Sequence, residues 1–316
     1  MAAPGFRYLV LGAGRQGVAI AYARARFGEA AEVTVVDADG AAARRAAARV
    51  RRLAPGVAVR AVARRLGSSV RAAASLLRGH GVVVGAATYR LNVVLARAAV
   101  AAGASFCDLG GNTAVVREQL RLDRDARRRG VTIVPDCGLA PGLANVLAAH
   151  AVAELPRARH VQIRCGGLPL RPRGPLGYAL LFSIEGLTNE YTGDSVVLRR
   201  GRIERVEAFT EPEEFRGPRE LGALEAFHTS GGSSTAPWTF RGAGLRFQLL
   251  HRFDPRTRFT AMEQTTGYPT AAVAHALARK EIRPGAVPPE RAGLGAAHLK
   301  ELRRRGLAIR RRRLKG

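Results

Sequence analysis

A glycine-rich turn between an apolar strand and a helix constrains the fold of this chain more than any other feature. Residues 8–11 form the apolar strand, and Gly12-Ala13-Gly14-Arg15-Gln16-Gly17 follows directly. A second apolar run, residues 33–36, ends at Asp37. A GxGxxG turn that opens from a strand, with an acid about 20 residues further on, is typical of dinucleotide-binding folds. We therefore predict a Rossmann-type nucleotide site at this turn.

The residues of this turn have separate roles in such a site. Glycine at the first position permits the tight turn, at the second lets the backbone approach a pyrophosphate, and at the third allows close helix packing. The N–H groups at the helix start face the phosphates. Asp37 is placed to accept from the ribose hydroxyls, and its charge would repel a 2′-phosphate, so we predict NAD, with NADP possible. The predicted cofactor-binding residues are Gly12, Gly14, Arg15, Gln16, Gly17 and Asp37.

Strand and helix patterns alternate through about the first 135 residues, which predicts a doubly wound parallel sheet. After Pro135 the pattern becomes rich in short strands. We predict an α/β fold with a Rossmann-type sheet, plus a second α+β domain with a mixed or antiparallel sheet. The first domain would comprise residues 1–138, completed by helices within 266–316, and the second residues 139–265. Strands of the second domain are predicted at 161–165, 180–183, 195–198, 203–207 and 246–253.

Composition excludes several classes of function. The net charge is +26, but 48 of the 51 basic residues are arginines scattered over the chain, and aromatic residues make up 6%. We read this charge as a compositional bias and predict no specific nucleic-acid partner. Three cysteines without a CxxC pair predict a reduced, cytoplasmic protein. No apolar run is long enough to cross a bilayer, so we predict no membrane span. No histidine spacing is typical of a metal site, so we predict no bound metal.

Five further motifs follow the glycine turn in order. They are CDLGGN at 107–112, VPDCGLAPGLAN at 134–145, GLTNEY at 186–191, LEAFHTSGG at 224–232 and TTGYP at 265–269. Together with the turn, this set resembles the saccharopine dehydrogenase family, most closely its lysine 6-dehydrogenase-like branch. The resemblance covers nearly the whole chain.

The resemblance implies an NAD(P)-dependent oxidoreductase that acts on an amino acid C–N bond and forms a homo-oligomer. In the lysine branch, L-lysine is converted to 2-aminoadipate 6-semialdehyde and ammonia. One departure leaves other functions open: the branch usually has a Tyr-Lys-Thr-x-Arg-Tyr-Pro-Gly-His run where this chain has Gln248 and His251. The alternatives are a saccharopine-type reductase or dehydrogenase, and an inactive nucleotide-binding regulator.

Candidate site residues lie where predicted strands end and within the later motifs. The candidate catalytic residues are Asp136, Glu225 and His228. The candidate substrate-binding residues are Arg90, Asn189, Tyr191, Thr229, Ser230 and Gly231. Structural roles remain open for these residues. Asp136 could cap a helix, and His228 could simply be an exposed loop residue. Asn189 and Tyr191 could hold the second sheet together or contribute to a subunit interface.

Overall fold

The first half of the chain alternates strands and helices, as a computed structural model shows. The structure describes residues 5–154, 161–169, 171, 174–175, 177–217, 221–240, 247–249 and 251–311. The elements of the first half are β1 (Phe6–Leu11), α1 (Arg15–Phe27), β2 (Ala30–Asp37), α2 (Gly40–Leu53), β3 (Ala58–Ala63), α3 (Val70–Leu77), β4 (Val82–Gly85), α4 (Asn92–Ala102), β5 (Ser105–Asp108), α5 (Thr113–Leu120), α6 (Asp123–Arg129), β6 (Thr132–Val134) and α7 (Leu143–Ala153).

The second half has shorter strands and two longer helices near its end. Its elements are α8 (Ile184–Glu190), β7 (Asp194–Arg199), β8 (Arg202–Glu207), β9 (Glu213–Arg216), β10 (Ala223–Ala226), α9 (Ala236–Thr239), β11 (Phe247–Leu249), α10 (Ala261–Ala278), β12 (Gly285–Ala286), α11 (Ala296–Arg304) and β13 (Ile309–Arg311).

A seven-stranded sheet with the order β12-β6-β5-β4-β1-β2-β3 forms the centre of the protein. All its pairings are parallel. The chain starts at β1, moves outward through β2 and β3, and returns to β4 on the other side, so the order reverses between β1 and β4. Ligands of open α/β sheets bind at the carboxyl ends of strands beside such a reversal. The predicted Rossmann-type sheet is confirmed.

Apolar side chains cover both faces of this sheet. On one face, Tyr8 and Val10 of β1 pack with α1, α2 and α10. On the other face, Leu9 and Leu11 pack with α3, α4 and α6. This alternation along β1 follows from the period of two in a strand that is covered on both sides.

The end of the chain packs back onto this sheet. Strand β12 pairs with β6, and α10 lies against α1, where a Cβ on Gly267 would stand 2.8 Å from the Ala19 Cβ. The TTGYP motif was expected before the last helices but lies inside α10, with Pro269 in the helix interior. A capping box at Thr260 and Glu263 starts the helix earlier, and packing on α1 outweighs the local cost of proline.

Within the described residues, the strands of the second half other than β12 form three two-stranded antiparallel sheets, β7–β8, β9–β10 and β11–β13. The strands predicted at 161–165 and 180–183 are wrong, because those residues have no regular structure. The alternation of apolar and polar residues in these two segments is short, and such a segment does not form a strand without a neighbouring strand to pair with. The strand predicted at 246–253 is shorter, and residues 246 and 250 lie outside the described part.

Among the described residues, no helix has both the length and the apolar character needed to span a membrane.

Candidate active site

The glycine turn lies at the carboxyl end of β1, beside the reversal in strand order. Gly12 has a φ of +116°, and a Cβ there would collide with the Ala86 carbonyl that follows β4. A Cβ on Gly17 would collide with the Gly12 carbonyl. By contrast, no atom of the described residues lies within 4 Å of the position of a Gly14 Cβ. The first and third glycines are therefore needed for packing, whereas Gly14 faces open space.

The start of α1 fits the phosphates of a dinucleotide. No side chain of the described residues caps this helix, and its N-cap is Gly14 itself. The side-chain amide of Gln16 is buried, and neither its oxygen nor its nitrogen has a hydrogen-bond partner in the described structure. Arg15 donates to the Leu180 carbonyl at 3.3 Å, which links the turn to the second half of the chain. Free helix N–H groups, open space at Gly14 and an unpaired amide together suit a bound pyrophosphate.

Asp37 supports the turn from the end of β2. One carboxylate oxygen accepts from the Ala13 N–H at 2.7 Å, and the other from the Asp39 N–H at 2.9 Å. Each carboxylate oxygen has a second lone pair, so the group can still accept from ribose hydroxyls. The structure therefore brings the six predicted cofactor-binding residues together, five on the turn and Asp37 beside it at the end of β2.

Two buried carboxyl groups lie near the ends of β5 and β6. Asp108 accepts from the Gly110 N–H at 2.7 Å and from the Gln119 amide at 2.5 Å. Burial raises the pKa of Asp108 to about 6, although these hydrogen bonds favour its charged form. Asp136 accepts a hydrogen bond from the Ser234 hydroxyl, while its other oxygen has no partner in the described structure.

Asp136 is held in an unusual conformation and environment. Its φ is +58°, and its carboxyl group lies against Gly110, where any Cβ would collide with it. Burial first, and then the nearby carboxylates of Asp108 and Glu290, raise the pKa of Asp136 well above its usual value. A raised pKa favours the protonated form of this carboxyl group, which suits Asp136 better to donate a hydrogen bond than to deprotonate an amine.

Helix α8 docks on the same edge of the sheet. The Asn189 amide donates to the Gly111 carbonyl at 2.7 Å, in the turn after β5. The Ser230 N–H donates to the Glu190 carbonyl at 2.9 Å, and its hydroxyl donates to the Asn189 carbonyl. A Cβ on Gly231 would lie 3.1 Å from the Gly111 carbonyl. The structure thus brings Asn189, Ser230 and Gly231 together beside β5.

Arg90 also meets this helix. Its Nε lies 2.7 Å from Glu185, which accepts a further hydrogen bond from Thr88 at 3.3 Å. The Arg90 side chain remains 71% exposed. The loop after β4 is thereby linked to α8 by an ion pair, and Arg90 lies at the edge where it was predicted.

Two further candidates lie on α8: Glu185, which the sequence analysis missed, and Glu190, which the GLTNEY motif suggests as a cleft residue beside Asn189 and Tyr191. Burial raises the pKa of Glu190 to about 7. The same carboxylate contributes to the raised pKa values of Tyr178 and Tyr191, so these three groups share one environment. The GLTNEY motif identifies the segment that contains Glu190, but a sequence does not show how far one carboxylate of such a motif is buried.

Of the other predicted site residues, Tyr191 and Thr229 border this cluster, whereas Glu225 and the His228 side chain make their contacts elsewhere. His228 is 3.3 Å from Glu211, which also pairs with Arg199 on the surface. Glu225 is exposed on β10, opposite Glu214 of β9. Tyr191 packs against Phe209 and Phe227, with ring centroids 5.6 and 5.8 Å away. Thr229 is half-buried, next to Ser230 in the chain.

The segment that departs from the lysine branch lies elsewhere. Gln248 is on β11, which pairs with β13. His251 lines a cavity that also contains Phe27, at the C-terminal end of α1. Because α1 has 13 residues, this end lies about 20 Å from the glycine turn. No group of His, Cys, Asp and Glu side chains within the described ranges could hold a metal.

Known proteins resemble this chain over most of its length. Residues 8–134 match the saccharopine dehydrogenase NADP binding domain, and residues 138–239 match the saccharopine dehydrogenase C-terminal domain. A saccharopine dehydrogenase (L-Glu forming) from Saccharomyces cerevisiae has 20% identity and a TM-score of 0.51 over 71% of this chain. This chain spans 49% of the length of that enzyme.

A second solved structure shares the fold more completely. The homospermidine synthase of Legionella pneumophila, solved in complex with NAD, has a TM-score of 0.65 at 12% identity and covers 96% of this chain and 90% of its own. The glycine turn lies within the residues that match the NADP binding domain. With both domains matched in order and the turn intact, the chain belongs to the saccharopine dehydrogenase family of NAD(P)-binding oxidoreductases.

Proposed function

We propose that this protein is an NAD-dependent dehydrogenase that acts on the C–N bond of an amino acid, with L-lysine as its substrate. The reaction would convert L-lysine, water and NAD to 2-aminoadipate 6-semialdehyde, ammonium, NADH and a proton. The observation that carries this proposal is the docking of α8 at the carboxyl edge of the sheet. It places Glu190, a carboxyl group with a pKa of about 7, in the segment that contacts the turn after β5.

The chemistry needs a proton acceptor near neutral pH. The nicotinamide ring, when bound, supplies the hydride acceptor. An ammonium group cannot release hydride from its carbon until it has lost a proton, and a general base is most effective when its pKa is near the working pH. Glu190 meets that requirement, whereas burial shifts the pKa of Asp136 well above its usual value and favours its protonated form. We assign Glu190 to amine deprotonation, and Asp136 to positioning of the turn that contains Ser234.

The far end of the substrate needs a cation or N–H groups for its carboxylate. Arg90 is exposed at this edge and is the candidate for that role. Its pairing with Glu185 at 2.7 Å implies that substrate binding shares or displaces this ion pair. Asn189, Ser230 and Gly231 form the neighbouring wall of the site.

The position of His251 supports a dehydrogenase over an inactive regulator. The segment with Gln248 and His251, which differs from the lysine branch, would indicate a loss of activity if it lay beside the cofactor. His251 lies at the other end of α1 instead, so its change leaves the groups around Glu190 in place.

The test is NADH formation by the purified protein with NAD and a panel of L-lysine, ornithine and saccharopine. We expect turnover with L-lysine. Turnover with saccharopine alone would assign the saccharopine-type reaction. NADH binding without turnover on any amine would contradict the proposal.

A further inference from the structure

A second cavity, of about 1000 Å³, lies at the opposite edge of the sheet from the glycine turn. It is formed by the last turns of α1 and α2, the loop at 251–257 and the end of α11. Because α1 runs from the glycine turn to this cavity, the two sites are about 20 Å apart. The proposed reaction makes no use of this cavity.

The charges that line the cavity are unbalanced. Six arginines contribute to its walls: Arg26, Arg52, Arg252, Arg256, Arg304 and Arg305. Asp254 is the only acid among the lining residues that the structure describes. Its carboxylate already accepts from the Arg256 N–H at 2.9 Å and from Thr257 at 2.6 Å. Glu301, outside the lining, pairs with Arg304 and Arg305.

Three of these arginines converge on one aromatic ring. The guanidinium carbons of Arg26, Arg304 and Arg305 lie 5.6, 5.7 and 5.2 Å from the centroid of Phe27. This convergence from two different helices differs from a random scatter of surface arginines. His251 also lines the cavity, and its buried Nε2 has no hydrogen-bond partner in the described structure.

We propose that this cavity binds a phosphate-bearing anion of up to nucleotide size. The exposed guanidinium groups of Arg26, Arg52 and Arg256 provide forked donors for phosphate oxygens. Arg304 and Arg305, which pair with Glu301, add positive charge to the wall. The half-exposed ring of Phe253 offers a face on which a base can stack. The volume is that of a site for a small organic ligand. A bound polyanion would compensate the mutual repulsion of the arginines.

The test is titration calorimetry of the NADH-saturated protein with inorganic pyrophosphate, so that the glycine turn is already filled. The Arg26→Ala/Arg52→Ala double variant removes two exposed arginines from the walls. We expect its affinity for pyrophosphate to fall by about tenfold or more, since each lost charge-assisted contact contributes a factor of this order. Repeating the titration with Gly14→Val, without NADH, keeps the result independent of the cofactor site and of the proposed reaction.

The matched control is Arg78→Ala/Arg124→Ala. It removes the same charge from exposed positions just after α3 and on α6, on the other face of the sheet. We expect this pair to leave the affinity for pyrophosphate nearly unchanged. An equal loss in both double variants would show general attraction to a basic protein and would overturn the proposal. Undetectable binding to the unmodified protein would overturn it as well.

ATP separates the two sources of phosphate. Tighter binding of ATP than of pyrophosphate, weakened by Phe253→Ala, assigns a nucleotide. Equal affinity for both, unaffected by Phe253→Ala, assigns an inorganic polyphosphate. Either result supports a phosphate site in this cavity. If neither ATP nor pyrophosphate binds, the proposal is overturned.

Discussion

Asp37 holds the glycine turn with the same carboxylate that, in the proposed site, would bind the ribose of the cofactor. Because it accepts from Ala13 at 2.7 Å, its replacement affects the turn as well as the ribose contact. We expect Asp37→Ala to weaken NADH binding by about tenfold or more and to narrow the preference for NADH over NADPH. Asp37→Asn keeps an oxygen for Ala13 but removes the charge, so it isolates the charge effect. Both affinities can be measured by NADH and NADPH fluorescence.

A preference for NADPH over NADH would point to other residues as the determinants of cofactor selectivity. If the unmodified protein binds NADPH more tightly than NADH, then the predicted preference for NAD is wrong and Arg44 or Arg45 contacts the 2′-phosphate. Arg45 lies 3.5 Å from Asp39 in the turn after β2, so it is close enough to take part.

Gly14 allows cofactor binding to be lost without loss of the fold. Its φ is −69°, which valine tolerates, and a Cβ there meets no atom of the described residues within 4 Å. We expect Gly14→Val to abolish NADH binding, because the side chain would occupy the space of the pyrophosphate, while the melting temperature stays nearly unchanged. Unaltered NADH affinity in this variant would place the cofactor elsewhere.

Glu190 should set the pH dependence of the proposed reaction. With a pKa of about 7 it is protonated below that pH and available as a base above it, so kcat/KM should fall as the pH drops through 7. We expect Glu190→Gln to lower kcat by about 100-fold or more and to remove this inflection, with NADH affinity unchanged. Glu211→Gln, at an exposed carboxylate, is the control. An inflection that persists in Glu190→Gln would assign the base to another group.

At the scale of elements, α10 depends on a close approach to α1. A Cβ on Gly267 would stand 2.8 Å from the Ala19 Cβ and 3.3 Å from its backbone, so a larger side chain has to separate the helices. We expect Gly267→Val to destabilise the protein by about 1–3 kcal/mol, measured by urea unfolding. The matched control is Gly295→Val, just before α11, where a Cβ has open space around it. This change should lower the free energy of unfolding by less than Gly267→Val does. Equal losses would show that the α1–α10 contact has no special role.

The elements that the sequence predicted well are those with a complete local signal. Strand β1 and its turn have a long apolar run and fixed glycines, and α4 ends at Gly103 with a φ of +74°, as expected. The capping box at Thr260 and Glu263 is also visible in the sequence and would have revealed the true start of α10. By contrast, the environment of Glu190 depends on how α8 docks, and that contact is made by residues far apart in the chain.

The net charge acts at the scale of the whole molecule. The chain has 51 basic and 25 acidic residues, so like charges repel across its surface in the folded state. Raising NaCl from about 0.01 M to about 0.1 M shortens the Debye length from about 30 Å to about 10 Å and screens this repulsion. We therefore expect the melting temperature to rise by about 2–4 °C for each kcal/mol of repulsion that salt removes.

A charge variant tests whether repulsion is the cause. Arg78→Glu/Arg124→Glu lowers the net charge at two exposed positions, one just after α3 and one on α6. With less repulsion to screen, its melting temperature should start higher at low salt and should respond less to NaCl than that of the unmodified protein. A melting temperature that falls as NaCl is added would mean that attraction within the surface ion pairs, such as Arg279 with Glu29 at 2.7 Å, exceeds the repulsion among the unpaired arginines. Scanning calorimetry of both proteins at the two salt concentrations distinguishes these results.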